Sequence, residues 1–219
     1  MLYVLGFFAL AFIVLILLGL GMHSLLPEEL KDVKKTNTNN INKLKSDKGI
    51  NADYEFLSYD YKSGAILDEE KQILYVVISE KGKKHKEIYN YNLINIPFDK
   101  IIQSEVIIDN QAISQTMRGS QVAGALVGGA LTGGIGFLVG GLSAKTKHVD
   151  KIKNIDIKLT VNDLQNPIAK INFLNTGGIG SYMSAHNGRS KSHELVKPAL
   201  VNVEKWQGMF DVILKQQIG

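Results

Sequence analysis

The chain has 219 residues, enough for one domain plus additional segments rather than two full domains, and a formal charge of +4. That mild basicity suits proximity to anionic lipid and is too weak to argue for nucleic acid. There is no cysteine, which excludes a disulfide framework, a thiolate metal site, a cysteine nucleophile and a lipidated-cysteine anchor.

Met1–Met22, MLYVLGFFALAFIVLILLGLGM, carries no charged side chain. About 20 apolar residues rising about 1.5 Å each cover the roughly 30 Å hydrocarbon core, so residues 1–22 are predicted to be a transmembrane anchor. No Lys or Arg precedes the run and no small-residue cleavage site follows it, which argues against a removed signal peptide. Lys31, Lys34 and Lys35 come next. The positive-inside tendency then predicts a single N-terminal span in the inner (cytoplasmic) membrane, with the bulk of the chain cytoplasmic. Residues 23–52 are polar, rich in Asn and Lys and free of strand alternation. They are predicted to be a linker: a short helix at Pro27-Glu28-Glu29, then a mobile tether.

From about Asp53 the pattern turns to period two, and residues 53–219 are predicted to form one domain. ILYVVIS (Ile73–Ser79) reads as a strand rich in branched residues, and EIYNYNLINIPF (Glu87–Phe98) alternates apolar with polar. The lysine-rich turn between them, with Gly82, makes the pair a hairpin. KIIQSEVIID (Lys100–Asp109), AISQTM, KNIDIKLTV (Lys153–Val161) and AKINFL (Ala169–Leu174) are further strands. Near the C-terminus Leu195, Leu200, Val203, Trp206, Phe210, Ile213 and Leu214 recur at three- and four-residue steps, one face of an amphipathic helix starting near Ser192.

About seven short strands and a terminal helix give a mainly β fold with a C-terminal α-helix. GAILDEEKQILYVVIS, INIPFDKIIQSEVIIDN and KNIDIKLTVNDLQNPIAKINFLN, followed by that helix, resemble bacterial pleckstrin-homology-like (PH-like) domains over roughly Gly64–Gln217. The resemblance implies a bent, partly open barrel capped by the helix, in a family of lipid-facing or protein-binding modules without catalytic residues. It rests on pattern and element order. The chain departs from an ordinary domain of this kind by carrying a glycine-rich insertion.

That insertion, residues 119–145, centres on VAGALVGGALTGGIGFLVGGL (Val122–Leu142). If the strands before and after it share one sheet, a single membrane crossing there is impossible. Ser120, Gly124, Gly128, Thr132, Gly136, Gly140 and Ala144 recur at every fourth position, a ridge that lets helix backbones approach closely. On one straight helix the ridge drifts about 40° per step, and adjacent glycines suit a turn. The expectation is a helical hairpin broken at Thr132–Gly134, in or on the membrane. Packing between protomers and a buried or disordered loop are the rivals.

Arg118 precedes the segment and Lys145 and Lys147 follow it, where anionic headgroups would lie. The KGKKHK turn adds Lys81, Lys83, Lys84 and Lys86 as lipid-contact candidates. Without arginine in that turn, diffuse attraction is favoured over a bidentate phosphate clamp. Both clusters also read as ordinary solvated surface. His23, His85, His148, His186 and His193 are scattered, and the glycines lack the P-loop lysine. No catalytic residue, metal or cofactor is predicted. The predicted partners are membrane lipid and further copies of the chain, with no nucleic acid and no identifiable protein partner. Two function classes follow: a non-enzymatic membrane-anchored binding or scaffold module at the inner membrane face, or a membrane-perturbing, pore-forming effector or exclusion factor assembled through the glycine segment. An enzyme whose site is assembled by the fold alone is a third.

Overall fold

Short runs of apolar residues, continuous or alternating with polar ones, build the strands, and the computed structural model of the chain describes residues 31–80, 88–118, 151–177 and 188–217. The helix α1 covers residues 31–47. It is followed by β1 (Tyr54–Leu57), β2 (Ser63–Asp68), β3 (Ile73–Glu80) and β4 (Asn90–Pro97). A 3-10 turn at Phe98–Lys100 leads into β5 (Ile101–Ile108) and β6 (Gln111–Met117). Then come β7 (Lys151–Ile152), β8 (Asn154–Val161), β9 (Ile168–Asn175), β10 (Arg189–Ser190) and α2 (Val196–Gln216).

The strands form two four-stranded sheets, β1-β2-β3-β4 (sheet A) and β6-β5-β8-β9 (sheet B), plus a β7–β10 ribbon. All pairings are antiparallel. Two local features hold this geometry. Asp109 and Asn110 both have positive φ, the backbone of a tight two-residue hairpin turn between β5 and β6. In β2, a Cβ on Gly64 would stand 2.5 Å from the Phe56 carbonyl oxygen, so only glycine lets β1 approach.

One core lies between the sheets and α2. It joins Leu74 and Val76 of β3, Val106 of β5, Ile157 and Leu159 of β8 and Ile171 of β9 to Leu200, Val203, Trp206 and Phe210 of α2. Phe56 stacks on Phe173 with ring centroids 4.3 Å apart. A second, smaller cluster lies on the other face of sheet A, where Ile41 of α1 meets Ile66, Tyr75, Val77 and Tyr91. Burial pushes the Tyr91 phenol well above its ordinary value, with Tyr89, Tyr61 and Asp60 adding to the shift, so it stays neutral.

The structure corrects the expected fold class. Among the described residues no helix is long and apolar enough to cross a membrane. The longest, α2, carries Lys197, Glu204, Lys205, Asp211 and Lys215, and its apolar residues line one face against the sheets. The fold of the described residues is therefore mainly β with a C-terminal helix and no transmembrane helix. Met1–Met22 and the glycine-rich hairpin predicted at 119–145 lie outside the described residues. The stretch read as a tether also differs, because residues 31–47 are helical and bury Asn37 and Ile41 completely or nearly so. In addition, α2 begins at Val196 rather than near Ser192, with two short hydrogen-bonded turns from His193 leading into it.

Candidate functional site

The feature with the most unusual chemistry is the glycine segment, and the described residues fix where it leaves and rejoins the domain. Both β6 and β8 pair antiparallel with β5, one on each side, so they run parallel to each other. Parallel strands need a crossover, not a tight turn. Met117 pairs with Gln103 near the start of β5, whereas Ile155 pairs with Ile108 at its end. The two roots of the segment thus stand at opposite ends of sheet B, about 20 Å apart at about 3.4 Å per residue. Strands on both sides of the segment belong to one sheet, which rules out a single crossing of a membrane between them.

Arg118 forms the upstream root. Its backbone N–H donates to the Ile102 carbonyl at 2.9 Å. Its guanidinium donates to the Ile101 carbonyl at 2.8 Å, and also to the Asp99 carbonyl and the Gln217 side chain. Two residues earlier, Thr116 Oγ1 donates to Asp211 Oδ1 at 2.6 Å. The buried Gln207 amide donates to Ser104 Oγ at 2.8 Å and to Asp211 Oδ1 at 2.9 Å. These polar contacts bolt the end of β6 to the C-terminal half of α2. Buried hydrogen bonds of this kind fix one arrangement, because breaking any of them strands a desolvated group.

A different set holds the downstream root. Asp109 Oδ1, in the β5–β6 turn, accepts from the backbone N–H groups of Lys153 and Asn154 at 2.9 and 2.8 Å. Thr176 N–H donates to the Lys153 carbonyl at 2.9 Å. Pairing of β7 with β10 adds the remaining restraint. Gly188, at φ +77°, lies so close to Ile152 that a Cβ would meet its carbonyl carbon at 2.9 Å.

The outer face of sheet B is a polar ladder. Lys158 pairs with Glu105 at 2.5 Å and Lys170 with the buried Asp156 at 2.7 Å. Asn172 Nδ2 donates to Asp156 Oδ1 at 2.7 Å. A half-open cleft of about 540 Å³ runs beside α2, lined by Tyr54, Leu67, Phe98, Met209, Val212 and Ile213 among others. Among the described residues no three His, Cys, Asp or Glu side chains converge to hold a metal ion.

Of the predicted site residues, only Arg118 falls within the described chain. Its guanidinium is turned inward onto backbone carbonyls and the end of α2 rather than outward to headgroups. Lys81, Lys83, Lys84, Lys86, Lys145 and Lys147 lie outside the described residues, as do Ser120, Gly124, Gly128, Thr132, Gly136, Gly140 and Ala144. Reading the sequence missed Thr116, Gln207 and Asp211. Their signal was available in part: Gln207 and Asp211 are four apart, on the face of α2 that also carries Val203, Phe210 and Leu214.

Residues 54–175 match the family described as glycine zipper containing PH domain. The chain is similar to a protein named Immunity protein from Bacillus phage SPbeta, 36% identical over 212 residues, covering 93% of this chain and 96% of that one. It is equally similar to an SPbeta prophage-derived membrane protein, YomJ, from Bacillus subtilis strain 168, again 36% identical over 212 residues, with 93% and 85% covered. No solved structure matches it.

Proposed function

Because the chain belongs to the family of glycine-zipper-containing PH domains, we propose that it is a non-enzymatic, membrane-associated binding or scaffold module whose glycine segment inserts in lipid or joins copies of the chain. The observation that carries this reading is the parallel placement of β6 and β8 in one sheet. An apolar stretch held at both roots by a folded domain is a presented element, not a crossing that divides two domains. The relative named a membrane protein supports the membrane association. The inner face of the cytoplasmic membrane is the proposed location, since its anionic lipid attracts a chain of charge +4.

The test is replacement of Gly124, Gly128, Gly136 and Gly140 by leucine in the full chain. The segment stays apolar, but bulky side chains block close backbone approach. Loss of self-association on chemical cross-linking, with membrane recovery unchanged, is the expected result. Unchanged cross-linking would remove self-association through the ridge. The relative named Immunity protein supports a second reading, an exclusion factor that perturbs the membrane through the same segment. Collapse of membrane potential on overexpression belongs to that reading alone.

A further inference from the structure

Sheet B has two unlike ends. At the upstream end Met117, Gln103, Thr160 and Ile168 form one row across all four strands, in direct register. Partners in register share a face, and this one is opposite the core face that carries Ile157 and Leu159. Met117 is 48% exposed and Ile168 51%, and Leu164, in the turn joining β8 to β9, is fully exposed. Among the described residues the downstream end shows mainly polar groups to solvent, Asn110, Gln111, Lys151, Lys153 and Asn175, beside the small Ala112.

Chain continuity gives the apolar end its occupant. Arg118 is pinned at that end, and only residues 119–121 separate it from Val122, about 10 Å of fully extended chain. The apolar run of the sequence therefore begins within a short chain length of this end of the sheet. On the other side residues 143–150 separate Leu142 from Lys151, about 27 Å of extended chain, so the downstream end is tied to the stretch far more loosely. Lys100 and Arg118 are offset nearby by Asp99 and Asp163, and Lys170 is paired with Asp156. The backbone N–H of Gln165 holds the Asp163 carboxyl below its ordinary value, so it stays charged. The corner is electrically balanced and apolar at its tips.

We propose that this upstream end of sheet B, through Met117, Leu164 and Ile168, is the surface that rests on a lipid bilayer, a proposal built on the membrane-associated reading above. The domain then stands with its β8–β9 turn toward the lipid and its β5–β6 turn away from it. The contact is made by apolar side chains and does not require anionic lipid.

The chain has no native cysteine, so single-site labelling tests this in the full-length protein. Leu164→Cys and Gln111→Cys, both at exposed positions, are labelled with an environment-sensitive fluorophore. They are mixed with vesicles of phosphatidylcholine, with or without phosphatidylglycerol, that carry a lipid-borne quencher. The label at 164 is expected to be quenched severalfold more than the label at 111 on both vesicle types. Equal quenching, or stronger quenching at 111, overturns the proposal, as does quenching that appears only with phosphatidylglycerol. Shielding of the 164 label at high protein concentration without vesicles also overturns it and assigns the surface to a second copy. Protein that does not float with the vesicles at all overturns the membrane reading itself; protein that floats with an unquenched 164 label overturns this surface alone.

Discussion

The two helices pack on different sheets, α2 against sheet B across the main core and α1 on the outer face of sheet A, and are held there by different means. Helix α2 buries a continuous apolar face, with Val196, Leu200, Val203, Trp206, Phe210, Ile213 and Leu214 all in the main core or at its border. Helix α1 buries one large apolar side chain, Ile41, beside the fully buried Asn37. Its grip is polar and specific: Tyr89 N–H donates to Asn37 Oδ1, and Asn40 Nδ2 donates to the Tyr89 carbonyl, both at 2.9 Å. A single residue of sheet A's β4 approach thus has both backbone groups satisfied by one helix. Apolar area decides whether α2 is folded at all, whereas the asparagines decide where α1 sits. Burial is non-directional, and a paired hydrogen bond is not.

That difference can be broken in order of size. Phe210→Ala opens the shared core and is expected to cost about 3–5 kcal/mol, lowering the urea midpoint of the whole domain. Ile41→Ala acts only on the satellite cluster and is expected to cost about 2 kcal/mol, the low end for such truncations. Hydrogen exchange separates the two, because amides of β5 and β8 should keep their protection in Ile41→Ala and lose it in Phe210→Ala. A uniform loss in both would mean the clusters are one cooperative unit. Asn37→Ala strips the partner from the Tyr89 N–H and is expected to cost about 1 kcal/mol, with faster exchange at Tyr89 as its local sign.

The smallest effect is conditional on pH. Asp68 ties the chain after α1 to sheet A by accepting from the N–H groups of Asn51 and Lys71 and pairing with the Lys71 ammonium at 3.1 Å. Desolvation raises its pKa, but these hydrogen bonds and the lysine charge outweigh it, and the net shift is downward. A depressed carboxyl contributes stability above its unfolded pKa and loses it as pH falls through the folded value. Asp68→Asn should therefore be less stable than the parent at neutral pH, with the gap closing below about pH 4 in paired urea titrations. A gap that does not narrow at all as pH falls would show that the carboxylate charge is not what matters.

The same contrast explains what could be read in advance. Strand β3 was legible as a run of branched residues, β4 and β8 because apolar and polar side chains alternate, and α2 because its apolar positions follow the helical period. Helix α1 was hidden because Asn37 and Asn40 occupy buried-face positions where a periodicity search looks for apolar side chains. Their partner, Tyr89, is about fifty residues away. Strands β7 and β10 span two residues each and exist through each other, with Gly188 permitting the approach. Arg118 was legible as a cation next to an apolar stretch, but its direction depended on carbonyls at Asp99 and Ile101 that only the β5–β6 register brings alongside.

The parallel placement of β6 and β8 also bears on how cheaply the domain carries its insertion. Joining two strands through roughly thirty residues instead of roughly eight is two doublings of loop length, about 1.2 kcal/mol of additional closure entropy. The kinetic consequence is larger. Ile101 pairs with Val161, and no part of the β5–β8 ladder can form until the intervening glycine segment has been synthesised and brought round. Hairpins β2–β3 and β5–β6 are local and can form early, whereas sheet B closes only through this long-range pairing. During that interval the apolar run of the sequence is tethered to an incomplete sheet, so the order in which the two halves of sheet B come together is a property of the fold itself.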